Sequence, residues 1–148
     1  WHHGDFIQRT SSGGFIIFGR SDTTLNPGGV RIGTAEIYRQ VEKIKFIRES
    51  LVVGKDEDGD IKIVLFVVLN KKTKLQEKDI WLIKKKIKIN CSPKHVPHEV
   101  IEIPEIPRTK SGKIVELAVK KAIQGEKIEN IEALSNPNSI NFFKNLYK

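Results

Sequence analysis

The chain of 148 residues has no methionine, one cysteine and no long hydrophobic run. Because Cys91 stands alone, an internal disulfide is excluded, and we expect a reducing, cytoplasmic location. The longest apolar run, IKIVLFVVL, is far shorter than the roughly 20 residues that a membrane-spanning helix needs. Since residue 1 is Trp1 and not methionine, we expect the chain to be a piece of a longer protein.

Residues that bind metals are also scarce. The four histidines are His2, His3, His95 and His98, and they offer at most one H-x-x-H pair. Cys91 has no second cysteine with which to share a zinc ion. The sequence therefore predicts no metal site of its own.

Positive charge is in excess. The chain has 26 Lys+Arg against 18 Asp+Glu, a formal net charge of +8. Such a balance suits nucleic acid, an acidic membrane or a phosphorylated small molecule, or it serves solubility alone. We interpret the run KKKIKI (residues 84–89) as the solvated face of a helix, because only Trp81 is nearby to stack on bases. A basic module that binds nucleic acid or membrane remains one alternative.

The first part of the chain predicts a β-hairpin followed by a helix. DFIQRT and GFIIFGR are short runs of β-type residues joined by SSGG, which is typical of a hairpin. The polar, glycine-rich stretch SDTTLNPGGVRIG follows. TAEIYRQVEKI then predicts a helix with Thr34 as its N-cap and with Ile37, Val41 and Ile44 on one face.

The middle of the chain predicts two strands and a second helix. ESLVVG and IKIVLFVVL read as strands separated by the acidic turn KDEDGD. Because the second strand is apolar at successive positions, we expect it to be central and covered on both faces. QEKDIWLIKKKIKINC predicts a helix with Ile80, Ile83 and Ile87 facing inward.

The last part predicts a short extended segment, VIEIPEIP, and then the helix KIVELAVKKAIQG, which ends at Gly125. The tail (residues 126–148) is expected to dock, since Phe142 and Phe143 would otherwise be exposed. This order of elements predicts a small α+β domain, a short β-sheet flanked by helices behind a leading hairpin.

The segment IPRTKSGKIV (residues 106–115, here called the lysine loop) carries two lysines around a Ser-Gly turn. It is not a phosphate-binding P-loop, because no earlier glycine has the required spacing and Ile114 replaces the Ser/Thr. Gly112 permits a sharp turn from which Lys113 can project as a compact charge. From these residues alone, Lys113 is either a functional cation or an ordinary surface lysine.

Further candidates lie in HGD, GRSD and NPGGVRIG. Asp5 could accept hydrogen bonds from two hydroxyl groups, as carboxylates do with a ribose. Arg20 and Arg31 could donate pairs of hydrogen bonds to hydroxyls or phosphates. Asp22 precedes the glycine-rich stretch and could be a hinge. Each signal is weak alone, since such residues are common in turns.

In this order and spacing, HGD, GRSD, GVRIGTAEIY and IPRTKSGK resemble the final motifs of the adenylate-forming superfamily, which contains acyl-CoA synthetases, nonribosomal adenylation domains and luciferases. WHHGDF, the stretch from SPKHVPHE to AIQG and the tail motif NPNSINFF are similar to ligases that join acetoacetate to coenzyme A. A ligase for acetate or another short acid is the alternative, although acetate ligases generally lack this tail.

The resemblance implies a ligase that works in two steps. A carboxylate attacks ATP, with Mg²⁺ expected in the full enzyme, to give an acyl-adenylate and pyrophosphate. The thiol of coenzyme A then displaces AMP. Residues 1–22 would be the end of a large N-terminal domain, and residues 23–148 a small mobile C-terminal domain. The implied partners are these small molecules and the missing N-terminal domain, with neither nucleic acid nor membrane.

The resemblance also implies roles for matching residues in the adenylation step. Lys113 would be the catalytic lysine, bridging the carboxylate and the α-phosphate as negative charge builds. Asp5 and Arg20 would bind the ribose hydroxyls of the nucleotide. Arg31 would serve the phosphate side of the nucleotide in one conformation.

Three further residues are implied for the domain movement and the second step. Asp22 would be the hinge between the two domains. Gly29 would let the arm of coenzyme A pass close to the backbone. The arginine that contacts the phosphates of coenzyme A in the family has no clear equivalent, and Lys88 or a neighbour would replace it.

Overall fold

A computed structural model of the chain describes residues 5–20, 23–70 and 74–148, and for residues 5, 6 and 18–20 it describes the backbone alone. Strands β1 (Asp5–Arg9) and β2 (Phe15–Arg20) form an antiparallel two-stranded sheet. Thr10 closes the turn between them, because its backbone N–H donates to the carbonyl of Gly14 at 2.8 Å. The predicted hairpin is confirmed.

The second sheet has three strands in the order β3 (Ile47–Glu57), β4 (Asp60–Leu69) and β5 (Glu99–Glu102). β4 is antiparallel to β3 and parallel to β5. Residues 63–68 of β4 are all buried, so the prediction of a central strand covered on both faces is confirmed.

The acidic turn is shorter than the sequence predicts. Of the stretch KDEDGD, only Asp58 and Gly59 lie between the two strands, and the remaining residues belong to them. Both turn residues have positive φ, 53° for Asp58 and 77° for Gly59. This is the two-residue connection that matches the twist of an antiparallel ribbon, so the strands extend to its edge.

Helices α1 (Thr34–Val41) and α2 (Glu77–Asn90) cover one face of the sheet. Of the apolar positions predicted to face inward, Ile37, Val41, Ile83 and Ile87 are fully buried in these helices. Ile44 is buried just beyond the end of α1, and Ile80 is half-buried against the same cluster. The predicted N-cap is wrong. Thr34 is itself the first helical residue and is buried, and Gly33 occupies the cap position without a side-chain bond.

Helices α3 (Glu116–Ile123) and α4 (Ile140–Asn145) cover the other face of the sheet. α3 begins later than predicted, because Arg108 and Ile114 form a β-bridge that holds the preceding residues extended. Gly125 follows the helix with φ of 73°, as expected for a residue that ends a helix. The predicted α+β fold, a short sheet flanked by helices, is confirmed.

The tail docks onto the sheet through one of its two phenylalanines. Phe143 is 1% exposed and packs edge-to-face on Phe66 of β4, with ring centroids 4.9 Å apart. Phe142 is 36% exposed and touches the edge of Phe143. Among the described helices, none has the length and apolar character that crossing a membrane requires.

Candidate functional site

The lysine loop is a tight hairpin. The backbone N–H of Thr109 donates to the carbonyl of Lys113 at 2.8 Å, and that of Gly112 donates to the carbonyl of Thr109 at 2.8 Å. Gly112 has φ of 83°, a left-handed conformation that favours glycine, so the predicted sharp turn is confirmed. Lys110 and Lys113 stand on opposite sides of this turn, and both are exposed.

Polar side chains within the loop reinforce the backbone. The hydroxyl of Thr109 accepts a hydrogen bond from the N–H of Lys113 at 3.1 Å and lies 2.8 Å from the hydroxyl of Ser111. The guanidinium of Arg108 donates to the carbonyl of Gly112 at 3.0 Å. The backbone of Lys113 is therefore fixed on both sides, while its ammonium group remains in solvent.

The tail lies along the outer edge of the lysine loop. The N–H of Lys110 donates to the carbonyl of Ala133 at 3.1 Å, and that of Ser135 donates to the carbonyl of Arg108 at 2.9 Å. Between these bonds, Thr109 and Leu134 form an antiparallel bridge. The tail thus pairs with the loop through one antiparallel bridge, and the loop does not project freely from the domain.

Tyr38 fastens the chain just beyond the loop. Its hydroxyl donates to the carboxylate of Glu116, the first residue of α3, and accepts a hydrogen bond from the N–H of Val52 at 2.9 Å. Burial, together with the adjacent Glu116 carboxylate, raises the pKa of Tyr38 well above its usual value. The phenol therefore stays protonated at neutral pH and keeps donating to Glu116. One side chain of α1 thus connects the start of α3 to β3.

A second exposed loop, the glycine loop (residues 25–32), is closed by Leu25 and Ile32, whose N–H and carbonyl groups bond reciprocally at 2.9 and 2.8 Å. The carboxylate of Asp60 accepts hydrogen bonds from the backbone N–H groups of Gly28 and Ile61, each at 2.7 Å. These two bonds lower the pKa of Asp60. The loop is therefore attached to the start of β4.

The predicted residues of the glycine loop are both accessible. Gly29 has φ of 76°, and a Cβ built on it would have no atom within 4 Å, so its surface is open. Arg31 is exposed on the same loop. Lys88 lies exposed in the last turn of α2, as the amphipathic pattern predicts.

The other predicted residues lie wholly or partly outside the described residues. Asp5 and Arg20 face each other across the β1–β2 ladder in backbone register, and their side chains are not described. Asp22, the predicted hinge, falls outside the described residues altogether. The roles of Asp5, Arg20, Asp22, Arg31, Gly29, Lys88 and Lys113 therefore stay predictions.

A histidine network that the sequence did not indicate holds the turn after α2. His95 lies 2.6 Å from the carboxylate of Glu36 through Nε2 and 2.7 Å from the hydroxyl of Ser92 through Nδ1. The Ser92 hydroxyl also accepts the N–H of Lys94, which caps the turn. The network binds this turn to α1. Within residues 5–20, 23–70 and 74–148, no group of three His, Cys, Asp or Glu side chains is arranged to hold a metal ion.

Comparison with known proteins identifies relatives of this chain by sequence. The acetoacetyl-coenzyme A synthetase of Rhizobium meliloti is 51% identical over 146 residues, which is 99% of this chain and 22% of that protein. An acetoacetyl-CoA synthetase of Caenorhabditis elegans is 42% identical over 146 residues, 97% of this chain and 21% of that protein. The chain therefore spans about a fifth of the length of the curated relatives it matches.

Solved structures agree with the sequence relatives. The acetoacetyl-CoA synthetase from Streptomyces lividans superposes with a TM-score of 0.89 at 42% identity, over 99% of this chain and 22% of that one. A benzoate CoA ligase from Burkholderia xenovorans superposes with a TM-score of 0.69 at 26% identity, over 79% of this chain and 23% of that one. The resemblance inferred from the motifs is confirmed.

The family match covers the structural core of the site. The family described as the AMP-binding enzyme C-terminal domain matches residues 38–113, from Tyr38 to Lys113. That segment contains the three-stranded sheet, helix α2 and the lysine loop as far as its last lysine. It spans just over half of the chain, and therefore this chain belongs to the AMP-binding enzyme C-terminal domain family.

Proposed function

We propose that the chain is the C-terminal part of a cytoplasmic, ATP-dependent ligase that joins acetoacetate to coenzyme A through an acyl-adenylate. The observation that carries this proposal is the match of 99% of the chain, including the tail, to an acetoacetyl-CoA synthetase at 51% identity. The braced lysine loop supports it, because a positioned cation is what the adenylation step needs. ATP and coenzyme A are then the cofactors.

The domain division belongs to the same proposal. Residues 1–22 end the large domain, residues 23–148 form the mobile domain, and Asp22 is the hinge between them. The separation of β1 and β2 from the three-stranded sheet supports this division, because no described strand pairs the two sheets. A few residues that absorb the change in backbone dihedrals suffice for such a movement. The partner of the mobile domain is the remainder of the large domain.

In the first step, the carboxylate oxygen of acetoacetate attacks the α-phosphorus of ATP, and pyrophosphate leaves. Negative charge builds on the α-phosphate oxygens, and the ammonium group of Lys113 stabilises it. Because the loop backbone is already hydrogen-bonded on both sides of Lys113, little reorganisation is needed when charge develops. Asp5 and Arg20 hold the ribose hydroxyls, and Arg31 serves the phosphates.

In the second step, the sulfur of coenzyme A attacks the acyl carbonyl carbon, and AMP leaves with the bonding electrons of the C–O bond. The thiol proton departs to solvent or to a base of the large domain. Gly29 lets the arm of coenzyme A approach the backbone, which its open surroundings support. Lys88 contributes positive charge toward the phosphates of coenzyme A.

Mg²⁺ is expected to accompany ATP in the full enzyme. The described residues supply no cluster of carboxylates or histidines for it. None of the described residues is therefore assigned as its ligand. Magnesium is commonly bound through phosphate oxygens with only one or two carboxylates, so the nucleotide itself accounts for much of its coordination.

The experiment that tests the proposal uses the full-length protein and a panel of short acids. ATP–pyrophosphate exchange should depend on acetoacetate and run more slowly with acetate. Lys113→Ala should lower this exchange about 100- to 1000-fold, the usual cost of removing a positioned charge. Lys110→Ala is the matched control and should change it little, because its exposed side chain precedes the turn.

Two results would contradict the proposal. Exchange that depends on another acid and ignores acetoacetate would refute the substrate. A crippling Lys110→Ala variant beside a mild Lys113→Ala variant would refute the assignment of the catalytic lysine. Thioester formation from supplied acetoacetyl-adenylate should survive Lys113→Ala, because only the first step uses its charge.

A further inference from the structure

Asn136 of the tail holds the segment that leads into the lysine loop. Its side-chain oxygen Oδ1 accepts the backbone N–H of Arg108 at 2.9 Å. Its amide nitrogen Nδ2 donates to the carbonyl of Ile106 at 3.0 Å and to the carboxylate of Glu105 at 2.8 Å. The two ends of one amide therefore bond to three residues of the segment that leads into the loop, Glu105, Ile106 and Arg108.

The backbone of Asn136 is itself anchored in the protein core. Its carbonyl accepts hydrogen bonds from the hydroxyl of Ser139 at 2.6 Å and from the N–H of Ser139 at 3.1 Å. Ser139 is buried, and the next residues, Ile140 and Phe143, are each 1% exposed in the core beneath the sheet. Because the backbone of Asn136 is held in this way, its side chain can fix the position of the groups to which it bonds.

Arg108 transmits the position that Asn136 sets. Its guanidinium donates to the carbonyl of Gly112 at 3.0 Å and forms an ion pair with Glu49 of β3 at 3.5 Å. Gly112 immediately precedes Lys113, so a displacement of Arg108 disturbs the hydrogen bond that holds the carbonyl of Gly112. The chain of contacts runs from the core through Asn136 and Arg108 to Lys113.

We propose that Asn136 is a positioning residue for Lys113, which holds the lysine loop in the geometry that adenylation requires. The inference rests on the proposed function. Asn136 does not touch a substrate in this scheme; it acts through the backbone of Arg108. A displacement of about 1 Å at a reacting group can cost roughly 100-fold in rate, so removing the brace should be visible in the first step.

The test uses the full-length enzyme in three variants, Asn136→Ala, Asn136→Asp and Asn138→Ala. Asn138 lies two positions along the same tail turn with an exposed side chain, and it is the matched control. ATP–pyrophosphate exchange with acetoacetate measures the first step. Thioester formation from supplied acetoacetyl-adenylate measures the second step.

We expect Asn136→Ala to slow adenylation roughly 10- to 100-fold while leaving thioester formation within about 3-fold of the wild type. Asn136→Asp keeps an acceptor for the N–H of Arg108, but it replaces the donor with an oxygen that faces the carboxylate of Glu105 and the carbonyl of Ile106. This variant should therefore slow adenylation at least as much as Asn136→Ala. Asn138→Ala should match the wild type in both steps. The double variant, Lys113→Ala with Asn136→Ala, should adenylate no more slowly than Lys113→Ala alone, because both substitutions act through the same charge.

Three outcomes would overturn the inference. Asn136→Ala could adenylate as fast as the wild type, could lose both steps equally, or could add its full effect to that of Lys113→Ala. If Asn136→Ala does not fold, the near-isosteric Asn136→Asp decides, and a wild-type rate of adenylation in that variant overturns the inference. A wild-type enzyme that shows no acetoacetate-dependent exchange instead overturns the proposed function.

Discussion

Phe143 is one of the buried residues that dock the tail, and its truncation should weaken the support of the lysine loop. Phe143 is 1% exposed and packs on the ring of Phe66, whereas its neighbour Phe142 is 36% exposed. The substitutions Phe143→Ala and Phe142→Ala remove the same atoms from adjacent positions of α4. They therefore separate the effect of burial from that of composition and helix propensity.

The expected cost of Phe143→Ala follows from its burial. A buried phenylalanine removes about 150–250 Å² from water, and at about 25 cal/mol per Å² this amounts to about 4–6 kcal/mol. Measured Phe→Ala substitutions in cores cost about 3–5 kcal/mol, because the remaining alanine keeps part of the burial while a cavity forms. Phe142→Ala should cost about 1 kcal/mol, since much of its ring already faces water.

Amide hydrogen exchange on the full-length protein measures this difference without unfolding the rest of the enzyme. The N–H groups of Lys110 and Ser135 bond the loop to the tail, so their exchange reports undocking. A loss of about 3 kcal/mol should speed their exchange at least roughly 100-fold, and Phe142→Ala should speed it less than about 10-fold. Equal effects of the two variants would show that the tail is not held through Phe143.

Three further predictions concern other parts of the domain. Tyr38→Phe leaves the N–H of Val52 without its 2.9 Å acceptor and should destabilise the domain by about 1–3 kcal/mol, measured by urea unfolding; an unchanged midpoint would contradict the bracing role. Asp22→Pro should stall the switch between half-reactions by locking φ, and equal loss of both half-reactions would argue against the hinge. The pKa of Asp60 is lowered in the folded state by two backbone N–H donors, so its stabilising contribution is present above about pH 4 and is lost as the pH falls further. Acid titration of unfolding should therefore be shallower for Asp60→Asn, and an identical titration would contradict this.

Much of the fold is predictable because its elements obey local patterns. The inward faces of α1 and α2 follow the helical period of their isoleucines and valines, and the continuous apolar run of β4 indicates a strand covered on both sides. The errors fall at the boundaries. Thr34 is a favourable cap by residue type, but here tertiary packing buries it inside the helix. The start of α3 is set by a bridge between Arg108 and Ile114, which no helical pattern records.

The lysine loop shows where prediction from sequence ends. The Ser-Gly pair predicts the turn, and the motif identifies Lys113 as the candidate, because both depend on neighbouring residues. The residues that brace the loop come from far along the chain: Tyr38 is 78 positions from Glu116, and Asn136 is 28 positions from Arg108. Tyr38 belongs to the motif GVRIGTAEIY and Asn136 to the tail motif NPNSINFF. The sequence therefore contains both residues within recognisable motifs, but it does not indicate which distant residues they contact.

The placement of the two loops gives a physical reason for the proposed rotation. The lysine loop joins the sheet at Glu49, which pairs with Val68 near one end of the β3–β4 ribbon. The glycine loop joins it at Asp60, which pairs with Glu57 at the other end. Glu49 and Glu57 lie eight residues apart along β3, which is about 26 Å at roughly 3.3 Å per residue.

The two loops are therefore attached near opposite ends of one ribbon. In the proposed scheme, the domain carries Lys113 near one end of this ribbon and Gly29 near the other, and it turns between the half-reactions so that each end is presented for its own step. The hydrogen bonds that brace both loops against the domain suit this scheme. If a loop moved independently of the ribbon, turning the domain would not deliver its residue to a defined position, and the gain from a positioned charge would be lost.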